Sequence, residues 1–84
     1  MSAVDDVVNL INEVTAKLEA LGSKADNAAR SKAEQAIATG KDAVAKFEAG
    51  GIVNDAEAIV ELSEASTELS EALVQLGPLG AVSA

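Results

Sequence analysis

Apolar side chains recur at alternating steps of three and four in three stretches of the chain, the spacing of one helix face. In the first stretch Val4, Val7, Ile11, Val14, Leu18 and Leu21 form an unbroken seam, widened by Val8 and Leu10. Ser2, with Asp5 three positions on, makes a capping-box-like start, and Gly22 supplies the left-handed residue that ends many helices. The second seam keeps the period with small residues: Ala29, Ala33, Ala36, Gly40, Ala43 and Phe47, flanked by Ile37 and Val44. Its start can fall at Ser23 or later, with Asp26 or Asn27 as the cap, and Gly50-Gly51 ends it. The third opens at Asn54-Asp55-Ala56-Glu57, an N-cap with Glu at the third helical position. Its seam reads Ile59, Leu62, Ser66, Leu69, Leu73 and Leu76, and Gly77-Pro78 is a stop signal.

These patterns predict helices over about 3–21, 24–49 and 55–76. At about 1.5 Å per residue the rods are roughly 28, 39 and 33 Å long. Rods of similar length on short connections predict an all-α fold, a three-helix up-down-up antiparallel bundle. One domain, residues 1–78, is expected, followed by an uncharged C-terminal tail, 79–84, without a helix signal. No stretch alternates with period two, so no strand is expected.

Composition makes this bundle a thin one. Of 84 residues 18 are Ala, while Val, Ile, Leu, Phe and Met together number 23. Alanine buries little area, and hydrophobic gain scales with area at about 25 cal/mol per Å². Small scaffolds usually need a disulfide, a metal or a partner chain. The chain has no Cys and no His, which leaves the partner. Phe47, the one aromatic residue, is expected to plug one end of the core.

Charge is unevenly placed. Residues 1–46 carry seven acids and six bases, whereas residues 47–84 carry seven acids and no base, for a net charge of −8 overall. That balance opposes phosphate backbones and anionic membranes. The chain shows no secretory signal and no stretch of 18 apolar residues, so a cytoplasmic or virion location is expected.

Two features are candidates for function. Glu57, Glu61, Glu64, Glu68 and Glu71 step by 4, 3, 4 and 3 along the third helix, expected to point away from the core as a solvated face or as a docking face for a basic protein. Ala29, Ala33, Ala36, Gly40 and Ala43 let two backbones approach closely, either within the bundle or between copies of the chain. Ser66 interrupts a seam of Ile and Leu and reads as steric relief beside a neighbouring helix, since no His stands ready to activate it.

Enzyme signatures are absent. There is no phosphate-binding loop, no dinucleotide fingerprint and no H-E-x-x-H. Size, helicity and acidity resemble the acyl carrier proteins. The nearest text to their D-S-L motif, Ile59-Val60-Glu61-Leu62-Ser63, lacks the Asp-Ser pair, so membership does not follow. The expected role is a non-enzymatic structural protein, a small helical subunit or accessory such as a virion decoration protein. It would act in a larger assembly, as a homo-oligomer or bound to a scaffold. The alternative is a soluble acidic inhibitor or nucleic-acid mimic that presents the glutamates to a basic protein. Neither role calls for a cofactor, a metal, a nucleic acid, a membrane or a small-molecule substrate.

Overall fold

In the computed structural model the backbone is described for residues 3–83 and the side chains for residues 3–76. Three helices, α1 (Ala3–Leu21), α2 (Asn27–Ala49) and α3 (Ile52–Ser83), pack against one another as a three-helix bundle, with no strand among the described residues. The start of α1, the end of α2 and the first half of α3 meet around Phe47, as up-down-up order requires. The cap expected from Ser2 lies outside the described residues.

Two tight connections reverse the chain. At the first, Gly22 takes φ +54° and a single 3-10 turn, Gly22–Lys24, leads to Asp26. The Asp26 carboxylate accepts from the N–H groups of Ala28 (3.1 Å) and Ala29 (3.3 Å), so Asp26 is the N-cap of α2 rather than Ser23. The Arg30 guanidinium donates to the Gly22 carbonyl and ties the turn to the helix. At the second, Gly50 (φ +77°) and Gly51 (φ +96°) occupy the left-handed region, where a Cβ would be strained.

The third helix is longer than predicted at both ends. Its first turn closes at Gly51, whose carbonyl accepts from the Asp55 N–H at 2.8 Å. Asn54 is therefore inside the helix. Its side chain donates to the Gly50 carbonyl at 2.9 Å instead of capping. At the far end the backbone stays helical through Gly77 and Pro78 to Ser83, so neither residue is the stop expected of it, and residues 79–83 are helix rather than tail. Proline removes one N–H from the ladder, here the donor to the Val74 carbonyl, but leaves the helical φ intact.

The core is built from small and medium side chains. Val7, Ile11 and Val14 come from α1, and Ala29, Ala33, Ala36, Gly40 and Ala43 come from α2, as the seams predict. At Gly40 the backbone of α2 lies close against side chains of α1. A Cβ built there would stand 2.9 Å from Ile11 Cδ1 and 3.2 Å from both Ile11 Cγ1 and Val7 Cγ1. No polar or charged side chain is buried among the described residues.

The α3 seam is rotated from the predicted one. The buried residues are Ala58, Leu62, Ala65, Leu69, Ala72 and Leu76. Ile59 is exposed, and Ser66 and Leu73 are only half-buried. The Ala/Gly seam of α2 is the reason. A small-residue surface gains contact only when its neighbour also comes close, and the alanine column of α3 permits that where Ile59 would hold the helices apart.

Candidate functional site

The rotation of α3 changes what faces outward. Residues 57–77 are three tandem heptads, EAIVELS, EASTELS and EALVQLG. With 3.6 residues per turn each heptad position keeps to one side of the helix. Ala58, Ala65 and Ala72, with Leu62, Leu69 and Leu76, face inward. Ala56, Val60, Ser63, Thr67, Ser70 and Val74 face outward and are exposed, with no charge among them. The wheel carries this outer stripe onto Ile59 on one side and onto Glu57, Glu64 and Glu71 on the other.

Large aliphatic side chains crowd this face. Ile52 is 90% exposed, Val53 69%, Ile59 61%, Val60 59% and Val74 68%. Only Val8 and Phe47 on the other two helices join them as exposed large hydrophobics among the described residues. Single exposed apolar residues, such as Val74 beyond Ser63, Thr67 and Ser70, need no explanation, but the cluster of Ile52, Val53, Ile59 and Val60 at the start of α3 is an apolar patch of the kind that marks interaction surfaces.

The strip opens into a groove. Between the first turns of α1 and the first half of α3 lies a depression of about 430 Å³. Ala3, Val4, Val7, Phe47, Ile59 and Leu62 give it an apolar lining, and Ser63, Ser66 and Thr67 supply hydroxyls along the α3 side. Phe47 is 42% exposed, so it forms part of the lining instead of plugging the core. Asp6 is the one charged residue of the lining. The Thr67 hydroxyl bonds to the Ser63 carbonyl at 3.2 Å, one turn back, and so leaves the helix surface smooth.

The five glutamates divide into two columns. Glu61 and Glu68 are partly buried toward the bundle, and Glu57, Glu64 and Glu71 are exposed. The row is therefore the flank of α3 rather than its outermost face. Lys46 of α2 reaches it, donating a hydrogen bond to Glu61 and pairing with Glu57 at 3.5 Å and with Asp42, one turn back on α2, at 3.5 Å. The hydrogen bond to Glu61, with the nearby Glu61 and Asp42 charges, raises the Lys46 pKa well above its ordinary range, against a smaller opposing effect of desolvation. A base on the neighbouring helix thus neutralises the first turns of a stripe that has no base of its own.

The small-residue seam has a different outcome. Ala29, Ala33, Ala36, Gly40 and Ala43 are all buried inside the bundle, so their close approach is spent between α2 and its own neighbours and is not open to a second copy. The face that is open was legible in the heptads. Ala and Leu recur unchanged at their two positions in all three, whereas the position of Ile59, Ser66 and Leu73 alternates between bulky and polar.

Among the described residues no group of three His, Cys, Asp or Glu is placed to hold a metal ion, and no helix is long and apolar enough to cross a membrane. Comparison of the chain with protein-family models, with curated proteins and with solved structures found no match.

Proposed function

We propose that this chain is a non-enzymatic structural protein that completes its packing inside a larger assembly, with α3 serving two interfaces at once. One observation carries the reading. The outward face of α3 carries no charge from Ala56 to Val74 and exposes Ile52, Val53, Ile59, Val60 and Val74 beside the hydroxyls of Ser63, Thr67 and Ser70, although the chain has charges enough to cover it. The inner face meets the rest of the bundle through alanines and leucines, and the outer face is a second seam without an internal partner. A small accessory protein laid on a scaffold, such as a virion decoration subunit, is one form such an assembly takes.

Energetics supports the same reading. An 84-residue domain of ordinary stability holds about 4–12 kcal/mol. A core with eight buried alanines among its 14 apolar residues belongs at the lower end of that range. Thermal unfolding of the isolated full chain, followed by far-UV circular dichroism from millimolar down to micromolar concentration, tests this. A melting midpoint well inside the ordinary mesophile range is expected on dilution. A dilute monomer that melts cooperatively only near the boiling point of water would overturn the reading, because it would need no neighbour.

The acidic-module alternative has its own support in Glu57, Glu64 and Glu71. They are exposed and lie along one border of the same apolar strip. The two readings therefore share one surface.

A further inference from the structure

We propose that the outer face of α3, with the groove it shares with α1, holds a single amphipathic helix of another protein, one whose apolar seam is bordered by lysine or arginine. The inference rests on the assembly role above and names the occupant of the open face. Shape and polarity come first. The face follows a heptad register and borders, along its first half, a groove with room for one bulky apolar side chain beside Phe47 and Ile59. A helix laid in a groove meets such a surface through anchors at heptad spacing.

Charge then selects the partner. Glu57, Glu64 and Glu71 run along one border of the strip, and Asp6 of α1 stands at the groove on the other side. No base lines the groove, and Lys46 is already held among Asp42, Glu57 and Glu61. An apolar floor between acidic rims is the complement of an apolar seam between basic ones.

A second copy of the chain fits poorly in either direction. Antiparallel packing of two α3 strips sets the Glu57, Glu64 and Glu71 column against itself. Parallel packing sets that column over Ile59, Ser66 and Leu73 of the other copy, where the carboxylates lose water and gain no partner. Each copy also carries a net charge of −8.

The rims matter because the apolar gain is small. Few large side chains are exposed on this face, and the free energy of burying them is offset by the loss of translational and rotational freedom on association. The apolar strip alone roughly breaks even, and charge complementarity decides which helix stays bound.

The test uses the full chain and three designed helical peptides of three heptads, measured by calorimetry at low and at raised salt. The first has a leucine seam with lysine flanks, the second has the same seam with glutamate flanks, and the third has the lysines with the seam scrambled. Binding of the first alone is expected, weakening about tenfold or more as exposed charges are screened at raised salt. Ile59→Ser with Val74→Ser should weaken it about tenfold or more with little change in melting, since these side chains are exposed. Glu64→Gln with Glu71→Gln should flatten the salt dependence. Equal binding of the scrambled peptide would show that bulk acidity is the whole effect, and equal binding of the glutamate peptide would show the glutamate column idle. Either result overturns the proposal, as does failure of the first peptide to bind or dimerisation of the chain through Val60 and Val74. A chain that melts low when dilute and still refuses the lysine peptide loses this partner and keeps the assembly role.

Discussion

Gly40→Ala sets two known effects against each other at one atom. Glycine in a helix interior costs about 1 kcal/mol relative to alanine, so on propensity alone the substitution stabilises α2. The structure opposes that gain. The new Cβ would stand 2.9 Å from Ile11 Cδ1, closer than carbon atoms are found, and 3.2 Å from Ile11 Cγ1 and Val7 Cγ1. Ile11 Cδ1 is the end of a side chain and can move. Val7 is buried, and its Cγ1 sits on a branched, stiff side chain. Overpacking of this kind costs about 1–3 kcal/mol, so the net effect is a loss of about 1 kcal/mol. Urea unfolding followed by far-UV circular dichroism reads it as a shift of the midpoint at constant slope.

A second substitution isolates the cause. Ile11→Val removes Cδ1 and by itself costs about 0.5–1.5 kcal/mol. If the clash is at Cδ1, the double variant is less destabilised than the two single effects added together. A coupling of about 1 kcal/mol is expected for groups in direct contact. Stabilisation by the single Gly40→Ala variant at the full propensity value, with no coupling to Ile11, would refute the close approach of α1 and α2. It would also remove the physical account of why α2 is lined with alanine and glycine.

Two further predictions test the ends and the flank of the bundle. Asp26→Ala removes the acceptor for the Ala28 and Ala29 N–H groups and should cost about 1 kcal/mol, whereas Asp26→Asn keeps an acceptor and should cost clearly less in the same urea assay. Lys46 has its pKa raised in the folded state, chiefly by the Glu61 hydrogen bond, so folding favours its protonated form. Its contribution is then fully present up to the ordinary lysine range and is lost as the pH rises beyond it. Alkaline titration of stability should give a shallower decline for Lys46→Met than for the parent chain, and identical slopes would count against the Lys46–Glu61 contact.

What the sequence made legible and what it hid follow one physical distinction. The helix count, the order of the bundle and the inner seams of α1 and α2 were readable because glycine punctuation and a strict period leave one choice of face, whereas a turn at Gly22-Ser23 and one continuous rod fit the sequence equally until the structure shows the turn. On α3 two faces keep the period. Counting bulk selected Ile59, Ser66 and Leu73, but the structure buries Ala58, Ala65 and Ala72 beside the same leucines. Bulk is the right guide where the neighbouring helix offers side chains to interlock with, and the wrong one where it offers a surface of alanine and glycine. The same rotation carried the glutamates from the outermost position to a flank, within reach of Lys46. Phe47 was displaced from the core for a related reason, since helices drawn this close leave little room for a ring between them.

The surplus of good seams on α3 is itself informative. A helix that needed only to close its own bundle could carry charge at Val60, Thr67 and Val74, as α2 does at Lys32, Lys41 and Asp42. Leaving aliphatic groups in water there lowers solubility and adds nothing to the fold. On the proposed reading the outer face has a second contact, and the exposed glutamate column limits what that contact can be. A like-charged copy would bring carboxylates together without water, and a basic helix would bring a partner to Glu64 and Glu71, beyond the reach Lys46 has on Glu57. The direction of the salt dependence therefore separates the two occupants more sharply than affinity does. Binding that strengthens with salt would indicate a face screened from its own kind, whereas binding that weakens with salt would indicate opposite charges meeting across the strip.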